Sequence, residues 1–312
     1  MKSLIFGISA IWKKFIATSG QNNSKFWMSL VPLVWLFVFF ILPLLIVFKV
    51  SLSEAIFGIP PFTEIFNTSK DYILNIKLNF ANYIAIFQDS YYATAFINSV
   101  YLSITATILC FLIGFPMAYG IHSTGERLKT ILLLLVSLSF WTSSLIRIYS
   151  WMSLLSVNGI LNTMLIKLGF ISSPIQFLGT YYAVCIGLVF CYLPFMIFPV
   201  YAVLEKIDKS YIESAYDLGC PPTKTFWTII VPLAKPGIVT GAMLVFSATI
   251  GEFVIPELLG SPETVTIGRA IWNEFFSNLD WPMACALSIT TMFFVILPLY
   301  IVQRFTADKF TN

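Results

Sequence analysis

Six runs of about twenty or more mostly apolar residues, near 26–48, 92–121, 131–156, 181–204, 237–258 and 282–303, limit what this chain can fold into more than any other feature. A run of that length is what a helix needs to cross the ~30 Å hydrocarbon core of a bilayer. The first and last carry no charged side chain at all. Across the chain 58% of residues are hydrophobic and only 11% charged, against about 25% charged in a soluble domain. Pro32, Pro43, Pro116, Pro194, Pro199 and Pro298 fall inside these runs; membrane helices tolerate proline because neighbouring groups satisfy the freed carbonyls. No alternation of period two persists for the ten residues of a barrel strand. The expected fold is all-α: a polytopic membrane protein of six transmembrane helices.

Charge placement orients it. Putting both termini on one side assigns Lys2, Lys13, Lys14, Lys25, Arg127, Lys129, Lys206, Lys209, Lys224, Lys235, Arg304 and Lys309 to that side, twelve of the 18 Lys and Arg. Cytoplasmic loops collect Lys and Arg, so both termini are expected in the cytoplasm. Residues 1–25 read as a basic cytoplasmic tail, because the apolar run at Leu4–Trp12 is short and Lys13-Lys14 follow where a cleavage site would lie. The organisation is then tail 1–25, one membrane domain 26–303 with a cytosolic loop at 205–236, and a tail 304–312. Five separated cysteines without a CxxC pair indicate neither a disulfide framework nor a metal site.

The 205–236 loop is the one long polar stretch in the second half of the chain. Ser210 and Glu213 have capping-box spacing, which predicts a helix starting near Ser210. Tyr211, Ala215 and Leu218 recur at i, i+4 and i+7 on one face, with Glu213 and Asp217 on another. Gly219 suits the left-handed position after the last turn, and Pro221-Pro222 blocks continuation. The pattern is helix, stop, then a second helical run towards Pro232, which forms an elbow between two spans.

Glu213-Ser214-Ala215, Gly219, Ile229 and Val231-Pro232 resemble the EAA loop of binding-protein-dependent ABC importer permeases. Ser214 replaces the usual second alanine and Val231 the usual leucine. The resemblance implies a type I ABC importer permease fold and makes the elbow the coupling helix, seated in a cleft of a cytosolic ATPase. Tyr211, Glu213, Ser214, Ala215, Asp217, Leu218, Gly219 and Pro232 are its candidate docking residues.

The opposite side is more acidic, with nine Asp and Glu in its loops against six Lys and Arg. This is either the complement of the positive-inside bias or a mouth that draws in a cation. The 49–91 loop has room for short surface helices, with Pro60-Pro61 as a turn and Phe80–Phe87 as an apolar patch at the membrane surface. Glu252 and Glu257 lie in GEFVIPELLG at the end of an apolar run, where an ionised carboxylate needs a partner or a cavity. Arg147 is the obvious partner for Glu252. That pair either ties two spans together or marks a solute pathway. Trp141, Tyr149 and Trp151 flank Arg147, and Tyr192 lies in the fourth span; aromatic faces beside carboxylates suit an alkylammonium, although aromatics also serve as interfacial anchors.

The stretches FWTSSLIRIYSWMSLL (140–155), NGILN (158–162), YLPFMIFPVY (192–201), GEFVIPELLG (251–260), IGRAIWNEFF (267–276) and DWPMA (280–284) look like the polyamine importer permeases, the putrescine type in particular, and the similarity runs over roughly 26–303. It implies import of putrescine or spermidine by alternating access, delivered by a periplasmic binding protein. It further implies two ATPase subunits and a second, different permease chain. The chain has no GxxxxGK[ST] phosphate loop, no GxGxxG and no HExxH. ATP and Mg are therefore expected on the partner, with no cofactor, no catalytic residue and no nucleic-acid partner for this chain. The single histidine, His122, reads as a solvated interface residue. A lipid-modifying membrane enzyme would want clustered Asp or His/Asp groups, and a secondary transporter internal repeats and more spans; the sequence offers neither.

Overall fold

The computed structural model describes residues 23–310 except 57, 64, 65, 69–73, 77 and 78. The expected N-terminal tail lies almost wholly outside the described residues. Helices α1 (Asn23–Leu36) and α2 (Leu42–Ser51) are joined by a π-helical turn, Phe37–Ile41, into one apolar rod. A short hairpin follows, β1 (Phe66–Thr68) antiparallel to β2 (Leu74–Ile76), and then the surface helix α3 (Ala81–Gln88). Ile86 of α3 is buried while Phe80, Ile84 and Phe87 are exposed.

The centre is a bundle of α4 (Ser90–Ser123), α8 (Tyr181–Leu204) and α11 (Val231–Ile250). Their shared core includes Cys110, Phe115, Ala118, Met196, Val200, Ala234 and Val245. Helices without a hydrophobic driving force between them associate through close packing of small residues. Gly237 shows this: a Cβ there would stand 2.7 Å from the Pro199 carbonyl oxygen. Around the bundle lie α5 (Glu126–Trp141), α6 (Ser144–Leu155), α7 (Ile160–Lys167), α12 (Val254–Leu259), α13 (Ile267–Trp272) and α14 (Trp281–Phe310). Helix α14 packs along α2.

Among the described residues five helical stretches are long and apolar enough to cross a membrane: Ser29–Ser51, Ser90–Ser123, Tyr181–Leu204, Pro222–Ile250 and Trp281–Arg304. A sixth crossing exists if Glu126–Trp141 and Ser144–Lys167, bent by 94° to each other, are taken as one. The third expected span, 131–156, is thus a broken rod. Thr142, Ser143 and Ser144 sit at the break, and the Thr142 hydroxyl donates to the Ser139 carbonyl at 3.3 Å, a local bond that competes with the helical ladder. The fifth expected span, 237–258, begins earlier and ends earlier. Its helical stretch starts at Pro222 and stops at Ile250, leaving Glu252 on a connector and Glu257 on the separate short α12.

Two π turns share a cause. Phe226–Ile230 precedes Pro232 and Phe37–Ile41 precedes Pro43. A proline inside a helix clashes with the carbonyl four residues back. Here that carbonyl belongs to Thr228 or Phe39, inside the widened turn, so the helix bulges instead of breaking.

Candidate functional site

Two places concentrate polar chemistry, one at each end of the bundle. At the first, α8 ends at Leu204 and the chain turns into α9 (Lys209–Asp217). The helix cap is Asp208, whose carboxylate accepts from the Ser210 amide at 3.0 Å. Ser210 therefore lies inside the first turn, and Ser210 and Glu213 form no capping box. Asp208 takes the cap because it is the residue with extended backbone just before the first helical turn, two residues ahead of Ser210. That bond from the Ser210 amide holds the Asp208 carboxyl below its ordinary range. The far end of α9 is a Schellman stop. Gly219 has φ of 74°, its amide donates to the Tyr216 carbonyl at 2.8 Å, and the Cys220 amide donates to the Ala215 carbonyl at 2.9 Å. Pro222 then opens α10 (Pro222–Thr225).

The inward face of α9 is Ile212 and Ala215, packed beside the central core. Ala215 is therefore separated from the other two members of the expected face. Tyr211 and Leu218 point away from the bundle, Leu218 at 88% exposure, with Glu213, Ser214 and Asp217 also exposed. Pro232 lies exposed at the start of α11. The second arm of the elbow is tied back by Phe226, whose ring packs edge-on against Phe115 and Tyr119 at 5.7 and 5.1 Å.

Beneath the elbow is an ion cluster the sequence did not announce. The Lys129 ammonium donates to Glu126 Oε1 at 3.0 Å and to Glu205 Oε1 and Oε2 at 3.1 and 3.3 Å. His122 Nδ1 lies 3.2 Å from Glu205 Oε2. His122, expected as a solvated residue, is thus half-buried and bonded to Glu205 beside this cluster. Lys129, followed by His122, holds the Glu205 carboxyl below its usual range. Glu126 and Lys129 stand at helical i, i+3 spacing and were legible as a local pair; Glu205 is 76 residues from Lys129 and had no local signal.

At the opposite end, Arg147, Tyr192 and Glu252 line one cavity of about 400 Å³, together with Phe140, Phe195 and Phe253. Arg147 and Glu252 are not an ion pair. The Tyr192 hydroxyl donates to Glu252 Oε2. Glu252 Oε1 accepts from the Val254 amide at 2.9 Å and the Ile255 amide at 3.4 Å, the first amides of α12. A carboxylate at a helix N-terminus satisfies orphan donors there, and this engagement competes with Arg147. The guanidinium instead donates from Nη1 to Ser139 Oγ at 2.9 Å, bridging the α5–α6 break. Its Nε is buried without a hydrogen-bond acceptor.

The other candidates fall elsewhere. Glu257 pairs with Arg269 Nε at 2.5 Å. Trp151 packs edge-on against Phe190 at 5.4 Å within a buried cluster. Trp141, at 81% exposure, and Tyr149 point outward. The rings of Phe140, Phe195 and Phe253 escaped notice in a chain with 30 phenylalanines. Among the described residues no three His, Cys, Asp or Glu side chains gather as a metal site.

Comparison with known proteins places these features in company. Residues 110–310 match the family described as binding-protein-dependent transport system inner membrane component. A spermidine/putrescine transport system permease protein PotB from Haemophilus influenzae is 39% identical over 292 residues, covering 93% of this chain and 96% of that protein. The protein of the same name from Salmonella typhimurium is 36% identical, covering 94% of this chain and 97% of that protein. Among solved structures, a bacterial alginate ABC transporter in complex with an alginate pentasaccharide-bound periplasmic protein superposes with a TM-score of 0.68 at 19% identity, over 92% of this chain and 94% of that one.

Proposed function

The chain belongs to the inner membrane components of binding-protein-dependent transport systems, and from that premise we propose that it imports polyamines, putrescine or spermidine, as one permease subunit of an ATP-driven complex. The observation that carries the transport reading is the elbow. Helix α9 is capped by Asp208 and stopped at Gly219, and it leaves Tyr211, Glu213 and Leu218 exposed on a chain otherwise anchored in lipid. An exposed apolar pair rimmed by acids at the end of a bundle suits a partner's cleft. In this reading two ATPase subunits take that surface and bind ATP and Mg²⁺, a second and different permease completes the pathway, and a periplasmic binding protein delivers solute to the opposite end. Tyr211, Glu213, Ser214, Asp217 and Leu218 contact the ATPase, while Ala215, Gly219 and Pro232 shape the elbow.

The substrate class rests on likeness to the two permeases and on the chemistry of the 400 Å³ cavity. Rings from Phe140, Tyr192, Phe195 and Phe253 line the same cavity as the Glu252 carboxylate. Such a wall attracts an alkylammonium through ring faces and one anion without fixed hydrogen-bond geometry. Arg147 lines the same cavity and offsets the charge of the carboxylate. Nucleotide-driven closure pulls the elbow, the spans rock, and the cavity opens to one side or the other; each state is favoured only to the extent that its contacts differ.

The test is uptake by the assembled complex in proteoliposomes, with its binding protein and ATP, of labelled putrescine against spermidine. ATP-dependent accumulation of either supports the reading. Accumulation of neither, by a complex that hydrolyses ATP, overturns the substrate assignment.

A further inference from the structure

Helix α5 is attached to the bundle in an unusual way. Of its sixteen residues, only Lys129 is buried, at 7% exposure. Leu132, Leu133 and Val136 lean on the core half-covered. Along most of its length α5 borders a cavity of about 770 Å³, with Leu132, Leu135, Val136 and Ser139 on one wall and Leu193 and Ile197 of α8 on the other. The apolar packing of α5 against the rest of the chain is correspondingly sparse. A buried ammonium needs close anions, and Lys129 has two on different elements, Glu126 on α5 itself and Glu205 at the end of α8. Glu205 also meets His122 of α4, and it stands three residues before Asp208, the cap of the elbow helix. At the other end of α5, Ser139 receives Arg147, which lines the cavity containing Glu252.

We propose that Lys129 is a coupling residue: its simultaneous hold on Glu126 and Glu205 makes α5 move with the elbow, so that displacement of α9 reaches the α5–α6 break and Arg147. The inference rests on the transport reading above. Lys129 touches neither substrate nor nucleotide; it positions α5. The sparse packing of α5 against the bundle leaves it free to move, and the ion cluster sets what it moves with. The 94° bend at Thr142–Ser143 lets α5 shift without dragging α6 as a rigid continuation.

The experiment uses the full complex in proteoliposomes and reads solute taken up per ATP hydrolysed, alongside the membrane yield of each variant. Lys129→Met and Glu205→Gln should each lower that ratio roughly tenfold, within the 5–150-fold span of usual coupling energies. The exchange of Lys129→Glu with Glu205→Lys restores opposite charges across the same gap and should recover most of the ratio. An unchanged ratio in Lys129→Met overturns the proposal, as does a charge exchange that is made in normal yield and recovers nothing. A second measurement needs no transported solute. Spin labels at Leu134 and Lys209, in a chain whose native cysteines are replaced, should keep one separation through the nucleotide cycle in the parent and spread over several in Lys129→Met. Equal behaviour in both overturns the clamp. An intact clamp in a complex that takes up no polyamine overturns the substrate reading alone.

Discussion

The two ends of this bundle treat charge in opposite ways. At the elbow, Lys129 pairs with Glu126 on its own helix and with Glu205 at the end of α8, and Glu205 also bonds His122 of α4, so the Glu205 carboxylate is taken up in holding elements together. At the far end, Arg147 and Glu252 line one cavity yet each is bonded to something else, a hydroxyl in one case and a hydroxyl and two amides in the other. Arg269 and Glu257 there repeat the elbow's habit, and they lie outside the cavity. Paired charges tie a structure together. Charges kept apart in a ring-lined cavity are available to a ligand, because a new ion does not first have to break a strong bond between them.

The largest expected effect attacks the elbow's outer surface. Gly219 has positive φ and no atom within 4 Å of where a Cβ would stand. Gly219→Arg therefore meets backbone strain of about 1–2 kcal/mol but no clash within the chain. Insertion should be intact while uptake falls to background, because the added side chain obstructs docking. Normal uptake by this variant removes the elbow from the coupling route.

At the far end, Glu252→Gln should cut the initial uptake rate by roughly tenfold or more at low solute, since a hydrogen bond to a charged group contributes about 1.5–3 kcal/mol. The glutamine oxygen can take the Oε1 place and accept from the α12 amides while its NH2 donates to the Tyr192 hydroxyl, so yield should be normal. An unchanged rate would place the solute elsewhere. Arg147→Gln has the opposite sign: removing a cation from a cation site should lower KM severalfold, an effect of about 1 kcal/mol. A raised KM with lost yield would mean that Arg147 ties the bundle as Lys129 does, and the contrast between the ends would fail.

How legible this was depends on distance along the chain. The apolar runs and the Gly219 stop are local facts, set by burial and by one residue's φ, and both were readable from the sequence. The α9 helix starts where expected, near Ser210, but its cap was misread because Asp208 and Ser210 both have capping chemistry two residues apart, and only backbone geometry chooses between them. The break at Thr142–Ser143 lies inside a run apolar enough to read as one span. Pairing was hardest. Arg147 with Glu252 was the obvious match by charge, yet α12 supplies amides that Glu252 takes instead. Glu205 finds Lys129 only because α8 ends at the level where α5 begins.

The smallest expected effect concerns Asp208, and it separates the cap from the cluster beside it. Both Asp208 and Glu205 have carboxyls held below their ordinary values. A depressed carboxyl stabilises the fold above its unfolded pKa, about 3.9 for Asp and 4.3 for Glu, and that contribution is lost as pH falls through the folded value. Hydrogen exchange at the α9 amides, corrected for intrinsic rates, should therefore be flat from pH 7 to about 4.5 and rise only below it. Asp208→Asn keeps a capping oxygen but does not titrate, so it should remove the cap's share of that acid rise while exchange at neutral pH changes little. Glu205→Gln should raise exchange at neutral pH as well, because it releases Lys129 and with it the end of α8. If Asp208→Asn loosened α9 at neutral pH as much as Glu205→Gln does, the elbow would hang on its cap rather than on the ions, and the cluster would lose its place in the comparison.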